Sequence, residues 1–363
     1  MVAEYVFSAI RGRQAGREYY ITMCPLKLVP KLFLFYEEEL PAELRSQRVL
    51  NKARIPDLSK YMTTNKDSYI FSAITASIDS NVIFENILID GEKSKDIGKL
   101  RIPLDARFIL NDGQHRRAAI EEALKECPDM GEETISVVFF VDTGLGQTQQ
   151  MFADLNKHAV RPTRSIGILY DHRDALSSLS CELVEKVPVF RNLTEMEKTS
   201  ISNRSTKLFT LNGIYQGTRS LLRKPEKVEH ISDEETALAI DFWQNVTQNM
   251  RDWKLAAEKG VSTFELRRDY IHAHTLAIHA LGRLGSLLLS TPDINYKNEL
   301  KKLDKIDWAR KNSALWEGRA TINGKISKSH TCMTLTTNYL KKFFGLPLSP
   351  DEHEVEEQFS RKF

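Results

Sequence analysis

The chain has 363 residues and a formal net charge of +2, with 41% hydrophobic and 28% charged residues, enough to bury one large core or two ordinary ones. That balance excludes a disordered, collagen-like or fibrous protein. Its most apolar stretches, such as 32–36 and 137–141, fall far short of a bilayer span, and no Arg- and Ser-rich leader opens the chain, so the expectation is a cytoplasmic protein with no membrane partner.

In chain order, residues 4–35 are rich in Tyr, Val, Ile and Phe around a Gly-containing turn at 13–17 and read as strands. Residues 41–51 and 57–61 read as short helices. Extended segments follow at 82–89 and 108–110. Phe108, Ile109 and Leu110 run into Asn111-Asp112-Gly113, a turn signal, after which Ala119, Ile120, Ala123, Leu124 and Cys127 recur at helical spacing. "TISVVFFVD" at 134–142 then suits a fully buried strand, closing a strand, helix, strand unit. Thr148, Met151, Phe152 and Leu155 mark one face of a helix that breaks at Arg161-Pro162, leaving Lys157, His158, Arg161 and Arg164 near its end.

Beyond about residue 165 the period is mainly helical. Leu176, Leu179, Leu183 and Val187 form one stripe. Leu238, Phe242, Val246, Met250 and Trp253 form another, opened by Ser232 with Glu235 three residues on, a capping box. A third helix is expected over 264–289, with Leu266, Tyr270, Ala277, Leu281, Leu284 and Leu288 inward. "RATINGKISKS" places Asn323-Gly324 between β-branched runs, a two-residue hairpin signal, and carries Arg319, Lys325 and Lys328. The expected fold is a mixed α/β domain at 1–165 followed by a mainly helical region with a basic β-hairpin at 166–363.

The small net charge hides segregation. Residues 191–227 hold eight Lys/Arg against three Glu, and 297–342 hold eleven against four Asp/Glu; compensating acid gathers near 121–142, 229–241 and 351–357. Two basic blocks in one chain point to a polyanion partner. The four cysteines, Cys24, Cys127, Cys181 and Cys332, show no C-x-x-C pair and read as thiols outside any disulfide or zinc framework, with Cys24, near Arg17 and Lys27, the best candidate for reactivity. His272, His274 and His279 cannot share one metal, because residues seven apart on a helix lie about 10 Å apart along its axis. P-loop, G-x-S-x-G and H-E-x-x-H signatures are absent.

The turn at 111–117 survives this filter. A helix N-terminus offers unpaired N–H groups and the positive end of its dipole, a site for phosphate. Gly113 would admit backbone close to the ligand, and Gln114, His115, Arg116 and Arg117 add donors. The Asp112 carboxylate admits several readings: a helix cap, a hold on a metal or a ribose hydroxyl, or repulsion of a bare phosphate.

"DGQHR" at 112–116, between a hydrophobic strand and "RAAIEEA", resembles the DGQHR domain, a branch of the ParB and sulfiredoxin-like superfamily. The blocks at 152–174, 200–214 and 315–346 resemble the B-protein family of the Dnd DNA phosphorothioation (sulfur-modification) gene cluster, so the resemblance covers nearly the whole chain. It implies a DNA-binding transcriptional regulator of that operon, with the nucleotide-phosphate site of the superfamily mapping onto Gly113, Gln114, His115, Arg116 and Arg117. Sulfiredoxins place a reactive Cys where this chain has Gln114, which excludes sulfinic-acid repair through that thiol. The expectation is therefore a repressor that binds double-stranded promoter DNA through Arg204, Lys207, Arg219, Arg319, Lys325 and Lys328. ATP or another nucleotide with Mg2+ is the expected effector, no metal site is assigned, and a palindromic operator would favour a homodimer. Two alternatives remain: an ATP-dependent DNA-nicking enzyme with Asp112 and His115 catalytic, and a scaffold for the other DNA-modification proteins.

Overall fold

The computed structural model describes residues 3–33, 52–143, 147–157, 162–202 and 205–362. The chain divides into two units, Met1–Val160 and Arg161–Phe363. The helix expected at 41–51 lies outside the described residues, as do His158, Arg161 and Arg204 and the side chains of Phe152 and Lys157.

Unit 1 is built on a seven-stranded mixed sheet. Its strands are β1 (Glu4–Gln14), β2 (Arg17–Pro25), β3 (Ile74–Asp79), β4 (Ile83–Ile89), β5 (Glu92–Pro103), β6 (Arg107–Asp112) and β7 (Thr134–Val141), in the spatial order β4-β5-β1-β2-β7-β3-β6. The β1–β2 turn closes on Ala15 and Gly16, both at positive φ, the backbone a two-residue hairpin requires. Only the β3–β7 pair is parallel. The helices are α1 (Val29–Leu32), α2 (Ile55–Thr64), α3 (Gln114–Glu126) and α4 (Thr148–Lys157); α1 and α2 pack against α3, and α4 lies along the edge strand β6. In the β6–α3–β7 passage, β3 separates the two strands and runs antiparallel to β6. Phe7, Phe33, Met62, Ile74, Ile78, Ile120 and Phe139 fill the core. Cys24 sits wholly inside it, where burial pushes its thiol up to about 12; that corrects the expectation of a reactive cysteine, which needs a stabilised thiolate.

Unit 2 is mainly helical: α5 (Arg164–Tyr170), α6 (Ala175–Lys186), α7 (Pro188–Leu193), α8 (Leu211–Leu221), α9 (Asp233–Gln248), α10 (Arg251–Ala257), α11 (Thr263–Asp269), α12 (Thr275–Ser290), α13 (Tyr296–Leu300), α14 (Ser313–Trp316), α15 (His330–Phe343) and α16 (Pro350–Lys362). Short strands β8 (Thr194–Glu195) and β9 (Phe209–Thr210) pair in parallel, and β10 (Thr321–Ile322) and β11 (Lys325–Ile326) form an antiparallel hairpin. Ser232 and Glu235 make both bonds of the capping box on α9. Two expected helices are divided. The 238–253 stripe continues onto α10, with Met250 and Trp253 still buried. The 264–289 helix breaks because Ile271 N–H donates to the Trp308 carbonyl and Arg310 N–H to the Asp269 carbonyl, so 308–310 takes up the backbone groups on either side of Tyr270 and leaves a one-turn 3-10 segment, Ile271–Ala273, before α12.

At the centre, α8 crosses α12 with backbone against backbone. A Cβ at Gly282 would lie 2.0 Å from the Gly217 carbonyl oxygen, one at Gly217 would lie 2.8 Å from Ile278 Cγ2, and one at Gly213 would lie 3.0 Å from Thr275 Cγ2. No helix among the described residues is long and apolar enough to cross a membrane.

The crossing predicts that Gly282→Ala destabilises unit 2 by about 3 kcal/mol, because the new methyl meets a carbonyl and neither backbone can retreat without opening the core. Gly167→Ala on α5, where an added Cβ meets nothing within 4 Å, should instead be neutral or gain up to about 1 kcal/mol from helix propensity. Urea unfolding of both variants measures the contrast; equal stability for the two would show that the helices do not depend on this approach.

Candidate phosphate turn and nucleic-acid interface

The turn forms where β6 ends. The β3–β6 register shifts between Thr75 and Ala76, so that Thr75 faces Asp112 while Ala76 faces Leu110, and Asn111 becomes the extra residue of a bulge. Its side chain is fully buried and donates to Ser77 Oγ at 2.8 Å. Gly113 follows at φ +105° as the cap of α3, a conformation natural only to glycine; a Cβ there would also press on Ile74 at 3.0 Å. The sharp reversal points the first amides of α3, including those of Gln114 and His115, out of the helix without intrahelical acceptors. Gln114 itself reaches back to the Leu110 carbonyl at 3.5 Å.

The side chains of this turn are engaged more deeply than their sequence implies. No side chain caps α3; Asp112 instead accepts from Arg116 Nη2 at 2.7 Å, and Arg116 Nη1 donates to Ser72. This corrects the reading of Asp112 as a helix cap. Arg117, only 12% exposed at its side chain, donates from Nε to the Phe33 carbonyl at 2.9 Å, from Nη2 to the Pro30 carbonyl at 3.1 Å and from Nη1 to Glu121. It fastens the end of α1 to α3, and it is corrected from phosphate ligand to scaffold. His115 is shifted below its ordinary value, first by partial burial and then by Arg54, with Asp112 opposing. The helix N-terminus therefore stands with half-buried His115 and the exposed Arg54 close to it.

In unit 2, Asn323 and Gly324 both take positive φ between β10 and β11. The Glu317 carboxylate accepts from the amides of Asn323 at 2.5 Å and Gly324 at 3.1 Å and from Thr321 Oγ1 at 2.7 Å, which holds its own pKa below the usual range. Arg310 donates from Nε to the Gly324 carbonyl at 2.9 Å. The hairpin is thus fixed from both sides, and it presents Lys325 and, just beyond it, Lys328, both exposed and in no salt bridge among the described residues. Lys207 donates to the Asn192 carbonyl at 3.0 Å, and the Lys207 carbonyl accepts from Arg267. Arg219 is half-buried, donates to Gln216, and shares its surroundings with Arg283, His279 and His330.

Arg319 is the exception among the expected phosphate contacts. Its guanidinium is 11% exposed, grips Glu356 at 2.6 and 3.2 Å, donates to the Leu335 carbonyl at 2.9 Å and lies over the Phe359 ring. A buried, doubly bonded ion pair is a structural group, so Arg319 joins α15 to α16 and leaves the interface. Sequence patterning also passed over Arg267, Arg268 and Arg310. They sit at a helix end and in a loop, segments that the bridge between Tyr270 and Ala309 and the Arg310 bond to the Arg268 carbonyl bring together.

His272, His274 and His279, which cannot share one metal, are all shifted toward the neutral form. His272 accepts from Trp253 Nε1 at 3.1 Å on Nδ1 and donates from Nε2 to Asp252 at 3.0 Å, and burial keeps its pKa low. Burial, reinforced by neighbouring cations, lowers His274 and His279 to about 4. No metal-binding cluster of His, Cys, Asp and Glu occurs among the described residues.

A family model described as DndB, DNA-sulfur modification-associated, matches residues 7–347 and so spans both units. Comparison with curated proteins and with solved structures gives no match.

Arg117→Ala should lower the stability of unit 1 by about 2 kcal/mol or more, since it leaves two carbonyls at the end of α1 without their donor, whereas His115→Ala should leave the melting temperature within about a degree. Thermal melts separate the two; an unchanged melt for Arg117→Ala would return that side chain to the ligand-binding set. Acid should destabilise unit 2. With folded pKa values below the unfolded 6.5, the histidines favour the unfolded chain once it protonates, so stability is full above about pH 6.5 and falls toward pH 4, by up to about 1.4 kcal/mol per pH unit for each group. Urea unfolding at pH 7 and pH 5 checks the slope, and His279→Gln should flatten it; equal stability at the two pH values would contradict neutral burial.

Proposed function

The chain belongs to the DndB family and takes part in DNA sulfur modification, and we propose that within that system it is a DNA-binding repressor of the modification operon. The observation that carries this reading is the basic face around the rigid hairpin of unit 2. Lys207, Arg310, Lys325 and Lys328 lie on it without a salt-bridge partner among the described residues, and Arg267 and Arg268 stand beside them. Some other basic side chains of the same two sequence blocks pair with acid, as Lys297 does with Asp241 and Lys341 with Glu352. Cations left without counter-charge on a fixed scaffold suit phosphate contacts, because neutralising phosphates releases condensed counterions and little side-chain order is lost in doing so. Lys325 on the hairpin, Lys328 just beyond it, Lys207 and Arg219 are the proposed contacts; Arg204 lies outside the described residues.

The turn at Gly113 is proposed as the nucleotide-responsive element, through its amides and His115. The nicking alternative draws no support from its geometry, since Arg116 already occupies the Asp112 carboxylate.

Promoter DNA should bind with a steep salt dependence. If six phosphates are neutralised, log K against log salt should have a slope of about −5, and Lys325→Glu with Lys328→Glu should make it shallower by about one unit for each phosphate left without its cation. In cells, the same double variant should raise expression from the modification-operon promoter. Affinity and slope unchanged by the double variant, in an electrophoretic shift, would remove the hairpin from the interface.

A further inference from the structure

Behind the hairpin, unit 2 contains a cavity of about 480 Å³ whose wall includes Arg267, Arg268, Arg310 and Lys328, together with His274 and Thr275. We infer that it is a binding site for a phosphate ester of mononucleotide size, built from residues other than those of the Gly113 turn. The volume lies within the range of about 300–1,000 Å³ typical of small-molecule sites.

Among the described residues, four cations and no carboxylate line the wall. Backbone carbonyls orient two of them. Arg267 donates to the carbonyls of Ser202 and Ser205, both at 3.0 Å, and to that of Lys207. Arg310 donates to the carbonyls of Gly324 and Arg268. Carbonyls orient a guanidinium without cancelling its charge, so the cavity keeps the positive potential that a carboxylate would have removed. Lys328 adds a charge with no salt bridge among the described residues, while Arg268 shares its charge with Asp269 at 2.6 Å.

The floor adds donors of a second kind. The 16-residue helix α12 begins at Thr275, a wall residue, with no side-chain cap, so the positive end of its dipole lies at the cavity. His274 cannot compete as a cation. Its Nε2–H donates to the Arg267 carbonyl at 2.8 Å, and burial among Arg310, Lys328 and Arg267 keeps it neutral. A compact anion is what this wall lacks, and a phosphate can bond several of these donors at once.

The remaining wall is suited to the rest of a nucleotide. The Phe264 ring is 44% exposed and carries the Arg268 guanidinium over it at 5.7 Å, a planar pair against which a base can stack. The phosphate could arrive on a free nucleotide or at the end of a DNA strand, and the chemistry recognised is the same.

Calorimetric titration of the full-length protein with AMP, pyrophosphate and adenosine tests the site. AMP and pyrophosphate should bind and adenosine should not. Lys328→Glu and Arg268→Ala should each weaken AMP at least about tenfold, the loss of one charged hydrogen bond, while their melting temperatures without ligand match the parent's. Competition by a short single-stranded oligonucleotide with a 5′-phosphate then identifies the source: displacement of AMP assigns the site to a DNA end, and no displacement assigns it to a free nucleotide. The inference is overturned if no phosphate compound binds at millimolar concentration, if adenosine binds as well as AMP, or if both variants keep parental affinity. Promoter binding is assayed separately without nucleotide, so failure of the cavity and failure of the repressor reading give different results.

Discussion

The close approach of α8 to α12 is the constraint on which unit 2 depends. Gly213 and Gly217 are four apart on one helix, and Ile278 and Gly282 are four apart on the other, so the two pairs lie along a single seam. With carbonyl and Cα touching there, neither helix can slide. The fixed position is transmitted to the ends: Thr210 caps α8 by accepting from Gly213 N–H at 3.1 Å, and Thr275 opens α12 beside Gly213. Both threonines line the cavity. Phe242 fills the space left by Gly285, and Trp243 donates to Thr218 at 3.1 Å, which locks α9 against the same seam. The wall of the cationic cavity therefore includes residues fixed by this close approach, where little order remains to be lost on binding.

Charge in this chain is sorted by whether an acid lies within reach. The 297–342 block looks uniformly basic in sequence, yet Arg319, Lys341 and Lys342 pair with Glu352 and Glu356 of α16. The acidic tail that seemed to balance the chain from a distance is the docking surface for α15. Burial makes the Arg319 and Lys341 pairs hard to break, because removing one partner leaves the other as a desolvated lone charge. Arg310, Lys325 and Lys328 stand at or beside the hairpin with no such acid partner among the described residues. A basic run thus resolves into a structural half and a surface half, and linear charge counting cannot separate them.

The legible parts of the fold were those with a strong local period. β2 and β7 alternate or run apolar, α9 carries its capping box, and Asn323-Gly324 sits where two short strands meet. β3 gave no such signal. Its Ile74-Thr75-Ala76-Ser77-Ile78 run is buried on both faces, and small residues suit a central strand without looking hydrophobic. β5 was hidden for the opposite reason, since its half near Lys93, Lys95 and Asp96 is exposed and charged. The helix break at Tyr270 depends on a tertiary partner, a backbone exchange with 308–310. At the site, the glycine requirement at 113 could be read from the turn, but the anchors of Arg117 on α1 and of Arg319 on Glu356 could not, because sequence identifies a donor and not its acceptor.

Arg310 connects the two proposed binding surfaces. One guanidinium bonds the Gly324 carbonyl at the tip of the hairpin and the Arg268 carbonyl in the wall of the cavity, and Lys328 lines the cavity while following the strand that bears Lys325. A phosphate drawing on Arg310 and Lys328 within the cavity and a DNA strand drawing on the hairpin would compete for the same charges. Like any two ligands on shared groups, each must then alter the affinity of the other by an equal factor. The sign follows from electrostatics: a bound anion lowers the positive potential that DNA experiences, so occupancy of the cavity would weaken the grip on DNA. Such coupling needs no large movement, because the seam at Gly217 and Gly282 keeps the scaffold still and only the charge changes.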